Sequence, residues 1–298
     1  MIYTNKHNLP QVIVDALLQD TYSKGDADAS VTELLTPPQM RKLIIKHDDE
    51  IVVDVSDMLA ALQGRAMHYV MELAATGKYN MLTEKSIYST YSGWKIKGQF
   101  DHVLIGEGIL IDFKTCSYYK VANDARPMEW IQQTNIYKRL LQKEKGLAIN
   151  RIQVIAFIKD FSKRKAKTTA GYPSAGLVAL DIPVWEDDTI DAFIEERIRL
   201  HQEADPRPCT DSDIWARPAQ SAVMKRGRMK ALRLFDTAQE AEEMASTSAG
   251  LHVEYRPGEA VRCQDWCLAA PFCAKWQADP RNTTQTQSTT ESLFDAKV

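Results

Sequence analysis

The sequence predicts an α/β protein whose core runs helix, three strands, helix, strand, with an α+β region appended behind it. Three observations carry that reading. Apolar residues recur at helical spacing from Val55 to Ala75, then the period switches to that of strands from Glu84 to Thr115. A second helical stretch, Pro127 to Lys143, precedes the strand-like RIQVIAFIKD at 151–160. Beyond about residue 205 the character changes, and Pro206, Pro208 and Cys209 open a new region.

Residues 1–54 mix short helical patterns with turns and are expected to pack on the core; SKGDADAS (23–30) reads as loop, and Pro37–Pro38 opens a helix through MRKLIIKH. The core proper is assigned to 55–205. Its first helix carries Met58, Leu59, Leu62, Ala66, Tyr69, Val70 and Leu73 at 3.6-type spacing, and Gly77 ends it. The strands are KSIYSTY, WKIKGQFDHVLI and GILIDFKT. Region 206–276 holds a strand pair (SAVMKRGR and MKALRLFD), a helix (TAQEAEEMAS), a short strand (LHVEYRPG) and a cysteine cluster. The polar, low-complexity segment 277–298 is expected to be disordered.

With 298 residues, 44% hydrophobic and 26% charged, the chain is an ordinary globular protein of about two domains. No apolar run approaches the ~18 residues of a membrane span, so no membrane partner is expected. The opening MIYTNKHNLPQ lacks the pattern of a secretory signal, which makes a cytoplasmic location the expectation. The net charge of −3 excludes a generally basic nucleic-acid coat and leaves room for local basic surface. Five cysteines, an odd count without an export signal, read as metal ligands before disulfides.

The chemistry concentrates in W94-KIKGQFDHVLIGEGILIDFKT-115. A hairpin with the loop Ile105-Gly106-Glu107-Gly108 pairs Leu104 with Ile109 and sets Asp101 opposite Asp112. Alternation then gives a core face of Ile96, Gly98, Phe100, Ile109, Ile111 and Phe113, and a polar face of Lys97, Gln99, Asp101, Asp112 and Lys114. Gly98 and Gly106 are expected to permit close approach and turning. Facing carboxylates repel unless a divalent cation lies between them, and hard oxygen ligands suit Mg²⁺ or Mn²⁺. The alternative is a wet face on which Asp101 pairs with Lys97 or Lys114.

Two helices add to the hairpin. Gly64, His68 and Glu72 share a stripe, with glycine allowing close packing on the sheet and His68 offering an imidazole ligand. Gln133 and Tyr137 share an inward stripe with Trp130, Thr134 and Leu141, placed to donate to a phosphate or to orient the Asp and Lys side chains.

Gly64 to His68, Gly98-Gln-Phe-Asp101, Asp112-Phe-Lys114 and Gln133 to Tyr137, in that order, resemble the motifs of the PD-(D/E)XK nuclease superfamily, and within it the RecB-type exonucleases, with the look of a phage-encoded member. The likeness spans about residues 55–160; Phe100 stands where the superfamily name has Pro. It implies a restriction-endonuclease-like core with a mixed central sheet flanked by helices. It also implies metal-dependent cleavage of DNA, with one or two Mg²⁺ or Mn²⁺ held by His68, Asp101, Asp112 and the Phe113 backbone carbonyl, and Lys114 assisting.

Cys263-x3-Cys267-x5-Cys273 resembles the C-terminal triple cysteine of RecB-type nucleases that hold a [4Fe–4S] cluster, with Cys209 as candidate fourth thiolate. A Zn²⁺ in a Cys₄ site, or plain buried thiols, are the alternatives. Cys116 reads as structural. The run Lys159, Lys163, Arg164, Lys165 and Lys167 is expected to be a loop that tracks a DNA backbone near the active face. Trp94, Tyr118 and Tyr119 are candidates to stack on unpaired bases, and Lys225 to Lys230 reads as a turn centred on Gly227. Leu293–Phe294 partly resembles peptides that dock on sliding clamps. The resulting expectation is a metal-dependent DNA exonuclease acting on linear ends, single- or double-stranded, in recombination or end processing, with a recombination or replication protein as partner. The alternatives are a structure-selective or restriction-like endonuclease, and a non-catalytic DNA-binding scaffold.

Overall fold

The computed structural model describes residues 1–19, 23–75 and 80–282. Gly77, most of the low-complexity tail and Leu293–Phe294 therefore lie outside the described residues. The chain forms two compact units: Met1–Thr36 with Val52–Ala204, and Pro37–Ile51 with the chain from Asp205 onward.

In chain order the elements of the first unit are β1 (Ile2–Thr4), α1 (Gln11–Leu18), β2 (Ala29–Ser30) and α2 (Val31–Leu35). After α3 (Pro38–Lys46), which belongs to the second unit, come β3 (Val52–Asp54), α4 (Leu59–Ala75), β4 (Met81–Tyr91), β5 (Trp94–Leu104) and β6 (Ile109–Cys116). The unit ends with α5 (Met128–Lys145), β7 (Arg151–Ile158), α6 (Lys163–Thr168), β8 (Leu177–Ile182) and α7 (Asp187–Gln202).

The central sheet is mixed. β5 pairs antiparallel with β4 along its length, parallel with β2 at its start and antiparallel with β6 at its end. β6 and β7 run parallel, and β8 returns antiparallel beyond them. Helices flank it, so the fold class is mixed α/β. One buried layer joins Leu110, Ile152, Val154 and Ala156 of the sheet to Ile136, Leu140 and Leu141 of α5. Each such side chain contributes roughly 1.5–3 kcal/mol when fully buried. The sequence reading does not isolate β8 or α7, although Ile190, Ile194 and Ile198, all fully buried, repeat at helical spacing. Ion pairs fasten α7 to α5, with Lys138 Nζ 2.7 Å from Asp187 and Arg139 Nη2 2.6 Å from Asp191.

Three expectations change here. The apolar stripe of α4 meets a core at its start, where Met58 and Leu62 pack on Val14, Leu17 and Val55, but Leu59, Tyr69, Val70 and Leu73 are each more than half exposed. Polar groups also hold the helix, since Arg65 donates to the carbonyls of Ala16 and Leu17 and His68 meets Asp101. The basic run after β7 is not a loop but α6, capped by Ser162, whose hydroxyl accepts from Lys165 N. Residues 37–51 do not join the rest of 1–54; they belong to the second unit, where the His47 ring stacks on Phe272 at 4.2 Å.

The second unit continues with β9 (Ala216–Arg217), β10 (Gln220–Lys225), β11 (Arg233–Phe235), α8 (Ala238–Ser246), β12 (Leu251–Arg256), β13 (Glu259–Ala260), α9 (Val261–Asp265) and α10 (Ala274–Gln277). β10 is central between β11 and β12, both antiparallel to it, and Gly227, with φ of +79°, lies in the turn that follows β10. MKALRLFD contributes a shorter strand than its pattern suggests, because only Arg233–Phe235 pairs. Order also extends past 276: Asn282 is buried and donates to the Trp276 carbonyl.

Candidate active site and cysteine cavity

β5 and β6 meet in the expected register, with Leu104 opposite Ile109, Val103 opposite Leu110 and His102 opposite Ile111. The four-residue loop 105–108 closes the hairpin, and its turn glycine is Gly108 rather than Gly106. Gly108 has φ of +65°, and a Cβ there would sit 2.8 Å from the Ala148 carbonyl oxygen. The next pair along the ladder would be Asp101 and Asp112. There the backbone pairing stops, and Asp101 Oδ2 accepts from Phe113 N at 2.6 Å.

Both carboxylates are buried, Asp101 at 6% exposure and Asp112 at 2%. The predicted polar face is therefore not a wet one. Val103 and Leu110, the pair next to them, are fully buried, and Lys97 is buried with its ammonium donating to the Ser23 carbonyl. Ile109 and Ile111, assigned to the core, are only half-buried. Asp101 pairs with neither lysine. His68 Nδ1 lies 3.1 Å from its Oδ1, while Lys114 Nζ lies 2.8 Å from Asp112 Oδ2.

Lys114 approaches that oxygen off the bonding direction, and Asp112 Oδ2 is left buried without a well-directed donor. Burial pushes the Asp112 carboxyl up to about 6; the Asp101 charge adds to the rise, and Lys114 and His68 oppose it. A buried carboxylate oxygen with an ion pair and no well-directed hydrogen bond, beside a second carboxylate and an imidazole, belongs to a donor set suited to a hard divalent cation. Among the described residues no group of three His, Cys, Asp or Glu side chains already stands arranged to hold a metal ion. His68 and the Phe113 N–H both engage Asp101.

Gly98 does permit close approach: a Cβ there would lie 3.0 Å from Leu140 and 3.2 Å from Tyr137. Gly64 does not serve that purpose, because nothing lies within 4 Å of the position its Cβ would take. The Gln133 amide donates to Tyr137 Oη at 2.9 Å, within α5, rather than to either carboxylate. Trp94 stacks near His201 at the start of β5, seven residues or about 23 Å of strand from Asp101, so it does not belong to the site. His102 has no motif to announce it. It is 95% buried by its 5% exposure, its Nδ1 lacks a partner, and its ring meets Phe113 edge-on at 5.0 Å.

In the second unit the four candidate thiols come together. Cys209, Cys263, Cys267 and Cys273 line one cavity of about 30 Å³, walled by Gln39, Met40 and Leu43 of α3 and by Trp276. Gln39 Oε1 accepts from Cys209 N at 3.0 Å, and Lys275 Nζ donates to the Cys209 carbonyl. Burial pushes the Cys209 and Cys263 thiols up to about 11, and the neighbouring thiols add to both shifts. Burial raises Cys267 as well, opposed by the N–H groups of Ala269 and Ala270. Mutual repulsion of this kind is what a coordinated cation relieves, so the donor chemistry suits a thiolate-bound metal, although these thiols too do not already stand as a group arranged to hold an ion. Cys116 is a buried core thiol of the first unit.

No protein-family model matches the chain, and no curated protein does. Among solved structures, the chain is similar to one described as the crystal structure of SSO0001. The two are 19% identical, the similarity covers 65% of this chain and 84% of that one, and the TM-score is 0.43. No helix among the described residues is long and apolar enough to cross a membrane.

Proposed function

We propose that the first unit is a restriction-endonuclease-like core of the PD-(D/E)XK kind, and that the chain is a metal-dependent exonuclease hydrolysing DNA phosphodiesters. The observation that carries this is the desolvated Asp112, its carboxyl raised to about 6, beside Asp101, His68 and Lys114 on one hairpin and one helix. Structural carboxylates are seldom held in that state, and functional ones often are. In this reading Asp101, Asp112, His68 and the Phe113 carbonyl hold one or two Mg²⁺ or Mn²⁺. A bound ion supplies Lewis acidity and a water of lowered pKa. Lys114 neutralises charge building on the phosphate, and Phe113 N–H keeps Asp101 in place. Gln133 donates to the Tyr137 hydroxyl, whose ring lies close to Gly98 of β5.

The cysteine cavity, in the same proposal, holds a [4Fe–4S] cluster or a Zn²⁺ through Cys209, Cys263, Cys267 and Cys273. The test of the nuclease reading is Mg²⁺-dependent degradation of end-labelled linear DNA beside closed circles. Asp112→Ala and Lys114→Ala should each lose about 10³-fold in rate while keeping the wild-type circular dichroism. A variant that digests DNA at the wild-type rate rejects the site, and equal cutting of closed circles rejects the exonuclease in favour of an endonuclease.

A further inference from the structure

Where β6 and β7 end side by side, the chain builds a ledge of aromatic and basic groups. Lys114 lies two residues before the end of β6, and Tyr118, Tyr119 and Lys120 form the 3₁₀ turn just beyond it. Tyr118 rests on Tyr172 with ring centroids 4.7 Å apart, and Lys165 of α6 caps the Tyr118 ring at 5.1 Å. Tyr119 projects from this stack, 63% exposed and edge-on to Tyr118. Lys159, Lys163, Arg164, Lys165 and Lys167 are all exposed, and among the described residues none of them is in an ion pair. Asp160, the one carboxylate within this run, accepts from Tyr118 N.

The ledge is locked from below. Tyr172 Oη accepts from Ser162 N and donates to the Asp160 carbonyl, and Asn123 N donates to the Gly171 carbonyl at 2.8 Å. Gly171 has φ of +71°, and a Cβ there would fall 1.8 Å from Asn123 Oδ1. Two loops are thus held in fixed relation, so a ligand would meet a preformed surface.

We propose that this ledge binds single-stranded DNA, with Tyr119 stacking on an unpaired base and Lys163, Arg164 and Lys167 following the phosphates. The proposal rests on the nuclease reading for the identity of the polymer and goes beyond it in naming the strand state. An exposed ring beside unneutralised cations suits a single strand, because every unpaired base offers a face to stack on, whereas duplex bases are already stacked. The position also fits. The ledge lies at the carboxyl ends of two parallel strands, where ligands of open α/β sheets gather, and about 7 Å of strand separates Lys114 from the end of β6.

The test uses the whole chain in EDTA, so that binding is read without cleavage, with a fluorescent oligo-dT, a duplex of equal length and phosphatidylserine vesicles as probes. The oligo-dT should bind more tightly than the duplex. Tyr119→Ala should weaken it about 10-fold, as the loss of one stacking contact does. Tyr119→Phe should restore it. Replacing Lys163, Arg164 and Lys167 together by Glu should weaken binding and flatten its salt dependence. Unchanged oligo-dT affinity in Tyr119→Ala, duplex bound as tightly as single strand, or variants that lose vesicle binding while keeping oligo-dT would each overturn the ledge. Because catalysis is absent from these readouts, a fully active Asp112→Ala would reject the nuclease reading and leave this result standing.

Discussion

The carboxylate site takes Asp101, Asp112 and Lys114 from a single hairpin and His68 from the helix before it, whereas the cysteine cavity gathers Cys209, a later run of three thiols, and a wall from α3. One is fixed by strand register, a local property; the other waits on segments far apart in the chain. The first buries its charges and holds them with single hydrogen bonds and an ion pair. The second presents four thiols around a space that polar contacts do not fill, and burial raises three of them, Cys209, Cys263 and Cys267. A site of the first kind should survive loss of its ion with its geometry largely kept, and a site of the second kind should not.

The largest expected effect follows from that contrast. If the cavity holds the proposed metal, Cys263→Ser and Cys273→Ser should strip the second unit of it and of its cooperative melting transition, since thiolate-bound structural ions contribute on the order of 10 kcal/mol or more to folding. Elemental analysis and calorimetry read both. Iron with sulfide in a brown protein identifies a cluster, and zinc in a colourless one identifies a Cys₄ site. Wild-type melting and the absence of metal in all samples would make these thiols plain core groups. Asp112→Asn, by contrast, should leave the metal of the second unit in place.

A smaller effect sharpens the other side. The Asp112 carboxyl is raised to about 6, above its unfolded value, so its protonated form favours the folded state. That contribution is fully present below about pH 4 and is lost as pH rises through about 6. In EDTA at neutral pH the ionised group therefore costs the protein on the order of 3 kcal/mol, and Asp112→Asn should recover most of it. Urea midpoints of the two proteins should converge below about pH 4. Midpoints that stay equal at neutral pH would mean that Asp112 is not desolvated in solution.

The smallest pair of effects divides two glycines. Gly108→Ala should destabilise by roughly 1–3 kcal/mol, because its positive φ and the Ala148 carbonyl both oppose a side chain. Gly64→Ala should stabilise by about 0.5–1 kcal/mol, as expected of an uncrowded glycine inside a helix. Thermal denaturation of the two variants reads both signs.

The hairpin was legible because two constraints agree: alternation fixes which residues pair, and a four-residue loop fixes where. Periodicity alone misled for α4. Its apolar stripe is strong, yet Met58 and Leu62 pack on a buried cluster while Leu59, Tyr69, Val70 and Leu73 stay exposed, and Arg65 and His68 have partners that periodicity does not reveal. The basic run hid a helix because Lys and Arg suit helices and loops alike, and only the Ser162 cap distinguishes them. Trp94 was misplaced for a simpler reason, since closeness in sequence to a motif becomes distance once the chain is extended. Nothing in residues 37–51 announces that their contacts lie beyond residue 205, because long-range packing leaves no periodic trace.

That last feature has a consequence for synthesis on the ribosome. α3 is made early, yet three of the four thiols it helps to enclose, Cys263, Cys267 and Cys273, emerge more than 200 residues later. Residues 52–204 can complete the first unit's sheet with β2 meanwhile, so a nascent chain would carry a finished first unit and an orphaned helix whose Met40 and Leu43 still lack the cavity they wall. A fragment beginning at 205 would lack one wall of its own cysteine cavity.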